Sequence, residues 1–327
     1  MLNQNVHLNL HLFEKDVERI PTRNGYGDGL LELGATNPDV VVLTGDLAES
    51  TRALPFQQKY PDRFIECGVA EQNMMGVAAG LALAGKIPFV SSYATFSPGR
   101  SWDQLRVSVC YGKANVKVAG AHTGISVGPD GATHQALEDI AITRVLPNLT
   151  VVVPCDAEET RKATLAAVAV QGPYYFRFTR DKTPVITTKD TPFEIGKAYV
   201  CIEGKDVTIA ACGPLLHEAI LAARELEKEG ISAEVINCHT IKPFDVETLV
   251  ASAKKTKCCV TVEEHQITGG FGGAVCESLS RNFPVPIESV GMPDCFGESG
   301  EPEELLTKYG MKASDIVKAV KKVVGRK

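Results

Sequence analysis

Short β-branched runs alternate along the chain with longer stretches of helical spacing. Residues 40–43, 117–119, 150–153 and 174–179 read as strands, and 23–33, 72–84 and 157–170 carry helical patterns between them. Near-continuous apolar strands separated by helices predict a parallel sheet covered on both faces. Residues 181–195, DKTPVITTKDTPFEI, are polar with two prolines and read as a linker. The alternation then restarts. Strands are expected at 207–211, 233–237, 259–262 and 287–290, and helices at 215–228, 245–255, 274–280, 302–309 and 313–324. The predicted architecture is α/β: a doubly wound, mostly parallel sheet over residues 1–185, a linker at 186–195 and a smaller α/β unit over 196–327. A chain of 327 residues suits two domains.

Charge narrows the function classes. The formal net charge of −6 argues against general nucleic-acid or membrane-surface binding, without excluding local basic sites for phosphates. No apolar run reaches the roughly 18 residues that span a bilayer. The first 19 residues lack a charged start followed by an apolar stretch, so a cytoplasmic protein is expected. The ten cysteines contain no C-x-x-C, which favours reduced thiols over zinc or disulfides.

Four strings could carry chemistry. Gly27-Asp28-Gly29 has the form that opens a metal-pyrophosphate motif, but no asparagine follows near residues 54–60, and the triplet lies in a helical pattern. Ordinary helix residues are the better account. Gly269-Gly270-Phe271-Gly272-Gly273 fails the dinucleotide fingerprint, because six residues separate it from the preceding strand and the last position is Val275. Close packing by glycines explains it better than a nicotinamide cofactor. In the third string, 66–81, Glu71 opens a buried helix of small and apolar residues. That acid is either a simple partner of the helix dipole or a group that handles protons. The fourth, 121–139, sets His122, Asp130 and His134 in a glycine-rich loop after a strand, where ligands bind in open α/β sheets. The intervals do not fit metal ligation, and no metal ligands are expected in this chain.

Taken together, these strings resemble transketolase from Arg23 onward, in its pyrimidine-binding and C-terminal domains. The resemblance implies one subunit of a split enzyme, with the pyrophosphate-binding domain on a partner chain. Glu71 in VAEQNMMGVAAGLALAG matches the glutamate that hydrogen-bonds N1′ of the aminopyrimidine of thiamine diphosphate. That bond favours the tautomer whose 4′-nitrogen removes the thiazolium C2 proton. Phe96 in YATFSPGRSWDQ matches the aromatic that stacks on the pyrimidine, and Trp102 falls at a further lining position. Gly99, flanked by Arg100, stands where the family often has another aromatic. Asp46 and Leu47 in TGDLAES resemble the loop that reaches the cofactor. Arg23, Ser50, His122 and Arg180 match phosphate-contacting positions, with Arg177 as a nearby alternative to Arg180. The arginines and histidine would supply charge-assisted contacts. Asp130 matches the residue that reads a substrate hydroxyl, and His134 a proton carrier near the reacting carbonyl.

The resemblance further implies that a partner subunit holds Mg2+ or Ca2+ with the pyrophosphate, that the assembly is α2β2, and that the substrates are sugar phosphates such as xylulose 5-phosphate and ribose 5-phosphate in the pentose phosphate pathway. Isolated, the chain should bind thiamine diphosphate weakly or not at all. Glu263-Glu264-His265 resembles a packing segment expected at a subunit contact, and the C-terminal unit is expected to serve assembly. Half of a 1-deoxyxylulose-5-phosphate synthase-like enzyme and the β subunit of a 2-oxo-acid dehydrogenase remain alternatives. So does a non-catalytic subunit that kept the fold, against which the intact Glu71 argues.

Overall fold

The computed structural model describes residues 2–14 and 16–327. In chain order the first half runs β1 (Arg19–Pro21), α1 (Thr22–Thr36), β2 (Val40–Thr44), α2 (Leu54–Lys59), β3 (Phe64–Glu66), α3 (Glu71–Leu83) and β4 (Ile87–Tyr93). A short α4 (Trp102–Gln104) passes into a π-helical turn (Leu105–Tyr111). Then come β5 (Lys117–Ala121), α5 (Asp139–Arg144), β6 (Thr150–Val152), α6 (Ala157–Ala167), β7 (Tyr174–Arg177) and β8 (Lys182–Pro184). The second half comprises β9 (Tyr199–Ile202), β10 (Val207–Ala211), α7 (Leu216–Lys228), β11 (Ala233–Asn237), β12 (Thr240–Lys242), α8 (Val246–Thr256), β13 (Cys259–Gln266), α9 (Phe271–Asn282), β14 (Ile287–Met292), α10 (Pro302–Lys308) and α11 (Ala313–Val324).

The fold is α/β, built on two mostly parallel sheets. Among the described residues the first sheet has the order β12-β6-β7-β5-β4-β2-β3, parallel throughout except for β12. Side chains of successive strand residues alternate between its faces. Val40, Val42, Phe89 and Phe176 pack with Tyr26 and Leu30 of α1 and Ala163 of α6. Val41, Leu43, Val90 and Tyr175 pack instead with Met74, Met75 and Ala78 of α3. Helices on both faces explain why the strands read as unbroken apolar runs. The GDG triplet lies inside α1, which rests on α6: a Cβ on Gly25 would fall 1.8 Å from Ala157 O, and one on Gly29 2.7 Å from Thr164 Cβ. The glycines let two helices touch.

The second sheet has the order β14-β13-β10-β11-β9, with β9 antiparallel. Its core merges with that of the first half, since Ala210, Ile236 and Phe271 belong to the same buried cluster as Leu43 and Met75. No helix among the described residues is long and apolar enough to cross a membrane.

The structure departs from the expected linker in two respects. Within 181–195, β8 pairs antiparallel with β1, placing Ile20 opposite Thr183. The Asp156 carboxylate accepts the Ile186 and Thr187 N–H groups at 2.7 and 2.5 Å and the Thr187 hydroxyl at 2.8 Å. The polar residues of this segment thus bond to the body of the protein, and Thr187 is buried. In addition, β12 leaves the second half to pair with β6 of the first sheet.

Candidate active site

The parallel strands β2, β3, β4, β5 and β7 end on one edge of the first sheet, and the loops that follow them carry most of the polar residues singled out from sequence. Glu71 opens α3, and its side chain is only 3% exposed. Its two carboxylate oxygens each lie 3.4 Å from Arg100 Nη1. The Arg100 guanidinium lies over the Phe96 ring, with Cζ 4.0 Å from the centroid. Rings continue from there. Tyr93 stacks on Phe96 at 5.6 Å and on His122 at 3.9 Å, and His134 meets Phe96 edge-on at 5.4 Å. Glu71, Phe96, His122 and His134 therefore converge on one edge.

Trp102 is placed differently from the expectation. Its Nε1 donates to Ile142 O at 2.8 Å, and its ring packs against the core cluster of Met75 and Ile140. Arg100, not Trp102, lies on the Phe96 face, because the turn from Phe96 returns Arg100 above the ring: the Arg100 N–H donates to Phe96 O at 2.9 Å.

Asp46 follows β2 with a positive φ of 62°, and Gly68 follows β3 with φ of 66°. One residue clamps both turns. Glu66 Oε1 accepts the Asp46 N–H at 2.7 Å and the Gly68 N–H at 2.9 Å, while Oε2 accepts the Thr44 hydroxyl at 2.5 Å. Leu47 O accepts both the N–H and the hydroxyl of Thr51, at 2.9 and 2.8 Å, which fixes the loop carrying Ser50. Neither Glu66 nor Tyr93 was singled out from sequence, although both lie in strings that were: Glu66 is the first acid of ECGVAE, and Tyr93 closes β4.

The basic groups sit together. Arg23 Nη1 donates to Ser50 O at 2.8 Å, and its Nε is buried without a partner. Burial first, then Arg52 and Arg180, holds the Arg23 guanidinium below its ordinary range. Arg180 Nη1 donates to Val127 O at 2.9 Å and stands 3.7 Å from Asp130 Oδ1. His122 is buried, and its Nδ1 has no partner. Burial, then Arg23, Arg180 and His134, pushes its pKa down to about 3. Its surroundings thus favour the neutral imidazole, whose N–H can still donate to an anion. His134 Nδ1 bonds the Thr133 hydroxyl at 2.8 Å. Arg177, the alternative to Arg180, points into the core, where its Nε meets Asp139 Oδ2 at 2.9 Å and its Nη2 donates to Glu264 O at 2.9 Å.

The second half braces the histidine loop. Glu264 Oε1 accepts the Ser126 N–H at 2.7 Å, and Gln135 Nε2 donates to Glu298 O at 2.9 Å. Glu263 accepts the Phe271 and Gly272 N–H groups at the start of α9, each at 2.7 Å. A Cβ on Gly270 would fall 2.2 Å from Glu263 Oε2, so the GGFGG glycines serve this close packing. Glu263, Glu264 and His265 are buried within this one chain. They form a seam between its halves instead of the subunit contact expected, because their polar atoms bond inside it.

Comparison with known proteins places this arrangement. Residues 18–185 match the transketolase pyrimidine-binding domain, and residues 196–316 match the transketolase C-terminal domain. The chain belongs to the transketolase family. It resembles a putative transketolase C-terminal section of Methanocaldococcus jannaschii, 44% identical over 302 residues, covering 91% of this chain and 94% of that one. It is also 44% identical over 315 residues to the 6-deoxy-6-sulfo-D-fructose transketolase subunit SqwH of a Clostridium species, covering 96% of this chain and 98% of that one. A solved split-gene transketolase, described as an inactive β4 tetramer, superposes with a TM-score of 0.88 at 49% identity, covering 94% of this chain and 99% of that one. The chain thus corresponds to the pyrimidine-binding and C-terminal domains of that family, as these separate subunits do, and the family depends on thiamine diphosphate.

Proposed function

We propose that this subunit supplies the aminopyrimidine side of a thiamine diphosphate site and most of a sugar-phosphate pocket, in an enzyme that moves a two-carbon ketol unit from a ketose phosphate to an aldose phosphate. The observation that carries this reading is the Glu71 carboxylate. It is buried at the sheet edge beside the Phe96 face, and a single half-exposed arginine is its cationic partner. That donor set fits a flat heterocycle with hydrogen-bonding nitrogens along one edge. Asp46 and Leu47 belong to the loop, clamped by Glu66, that would approach the same group. When bound, thiamine diphosphate supplies the electron sink for cleaving the bond next to the ketose carbonyl.

The chain's own residues would do the rest. Glu71 holds a ring nitrogen and shares a proton with it, and Phe96 fixes the ring plane. His134, at the edge of Phe96, moves a proton at the substrate carbonyl or hydroxyl. Arg23, Arg180 and Ser50 hold the terminal phosphate, with His122 as a neutral donor, and Asp130 reads a hydroxyl. Buried, partnerless atoms at Arg23 Nε and His122 Nδ1 suit oxygens of an anionic substrate. The same charges would accept a terminal sulfonate, the group named in the Clostridium relative.

The site needs a partner. Gly29 is spent in packing on α6 and Gly27 against the backbone of Arg52, so the pyrophosphate and its Mg2+ or Ca2+ fall to the pyrophosphate-binding subunit of an α2β2 assembly. Exposed Val69 and Leu83 flank the outer face of α3, and exposed Tyr111 lies on the adjoining π-helical turn. Exposed apolar residues at both ends of the helix that Glu71 opens suit a covering chain.

The test is reconstitution with a pyrophosphate-binding partner and assay of xylulose 5-phosphate with ribose 5-phosphate. Ketol transfer that Glu71→Ala abolishes is expected. Consumption of pyruvate with glyceraldehyde 3-phosphate, and no ketol transfer, would instead establish a 1-deoxyxylulose-5-phosphate synthase.

A further inference from the structure

Arg100 has a conformation that the chemistry of a transketolase subunit does not require. Its guanidinium carbon lies over the Phe96 ring, 4.0 Å from the centroid, and its Nη1 faces both oxygens of Glu71, each at 3.4 Å. An aminopyrimidine is also planar, and it also carries its hydrogen-bonding nitrogens along an edge. The arginine therefore makes with this chain the two contacts assigned above to the cofactor ring: a face on Phe96 and an edge on Glu71.

We propose that Arg100 sets how tightly this subunit takes its cofactor, by filling the aminopyrimidine's place until the cofactor displaces it. The proposal rests on the reading of Glu71 and Phe96 as cofactor contacts. Two features support displacement. The Arg100 side chain is 51% exposed while Glu71 is 3% exposed, so the arginine can swing outward and the carboxylate cannot. Both N···O distances are long for a charge-assisted bond, which ordinarily closes to about 2.7–2.9 Å. The arrangement also has a purpose in the free subunit. Without Arg100 the Glu71 carboxylate would stand buried with no cation, a costly state. Arg100 stabilises the empty site and competes with the ligand for the same two groups.

The test uses the full chain and 4-amino-5-hydroxymethyl-2-methylpyrimidine, which needs no pyrophosphate anchor. Binding is followed by ligand-observed NMR, with circular dichroism checking that each variant is folded. A half-exposed ion pair and one cation–π contact set the expected scale at about tenfold. Arg100→Met should therefore bind the pyrimidine about tenfold tighter than the parent, and melt at a lower temperature without it. Arg100→Lys keeps the charge but not the flat face, so it should fall between the two, and it serves as the readout should the methionine variant not fold. Equal or weaker binding by the arginine variants would overturn the proposal. So would the absence of binding by Arg100→Met at millimolar pyrimidine, since the vacated place should then be open. Adding Glu71→Ala to Arg100→Met separates the two readings. Binding that survives it removes Glu71 from the cofactor site altogether, whereas an ineffective Arg100→Met with a sensitive Glu71 removes only the role of Arg100.

Discussion

Glu159 Oε1 accepts a hydrogen bond from Asn237 Nδ2 at 2.8 Å, tying the first turn of α6 to the end of β11 and so joining the two halves of the chain. Glu159 Oε2 accepts the Cys155 N–H at 2.7 Å, and Asp156 lies beside it. Both acids are fully buried. Burial, then the Asp156 charge, pushes the Glu159 carboxyl up to about 7.

The sign follows from proton linkage. A carboxyl whose pKa is higher folded than unfolded binds its proton more tightly in the folded state. Its contribution is favourable below the unfolded value near 4.5 and is lost as pH rises through about 7. At 1.36 kcal/mol per pKa unit, the loss amounts to about 3 kcal/mol. Glu159→Gln removes the titration. The amide oxygen can still accept the Cys155 N–H, and its NH2 can donate to Asn237 Oδ1, which is buried without a partner. Thermal melts should show the glutamine variant matching the parent near pH 5 and exceeding it at pH 8. A variant that melts lower at pH 8 would mean the buried charge is stabilised after all.

The same region shows what the sequence reveals and what it hides. Unbroken apolar runs such as residues 40–43 announce buried parallel strands. β4 does not, because Ser91 and Ser92 interrupt it; both are buried, and the Ser91 hydroxyl bonds Tyr26 OH of the covering helix α1. β8 and β12 have three residues each and exist only through pairing with distant strands, which local spacing does not encode. In the candidate site, the glutamate and the histidine loop stand out because their strings are unusual. Arg100 and Trp102 could not be told apart as neighbours of Phe96, since that depends on which way a turn throws each side chain.

Asp139 and Arg177 form an ion pair sealed beneath the histidine loop. Asp139 Oδ2 accepts Arg177 Nε at 2.9 Å and Tyr175 OH at 2.7 Å. Removing one member of such a pair leaves the other charge uncompensated, at about 3–5 kcal/mol. Asp139→Asn should lower the melting temperature sharply. Asp139→Leu combined with Arg177→Met should recover part of that loss, as the lone buried cation is gone. A double variant no more stable than Asp139→Asn would place the cost in the orphaned Tyr175 hydroxyl instead.

Glu66 clamps the turns that carry Asp46 and lead to Glu71, touching neither the sugar pocket nor the arginines. Glu66→Gln keeps the shape but leaves one acceptor oxygen for two N–H groups and the Thr44 hydroxyl. Loss of one hydrogen bond to a charged acceptor is worth about 1.5–3 kcal/mol. In the reconstituted enzyme the apparent Kd for thiamine diphosphate should rise about tenfold, with the KM for sugar phosphates nearly unchanged. A rise confined to sugar-phosphate KM would show that the clamp serves the substrate loop.

Arg180 gives the sharpest test of substrate class. Its guanidinium is held at the pocket rim by Val127 O and lies near Asp130, and it and Arg52 are close enough to Arg23 to disfavour the Arg23 charge. A clustered positive field of this kind is relieved by an anion. Arg180→Ala should raise the KM for ribose 5-phosphate by roughly 10–100-fold, the range for one charge-assisted contact. Glycolaldehyde, an acceptor with no phosphate, should be used equally well by parent and variant. Arg180→Lys should recover only part of the loss, because an ammonium lacks the bidentate edge of a guanidinium. Equal loss with both acceptors would show that Arg180 acts by holding the 125–130 turn in place, with the phosphate bound elsewhere.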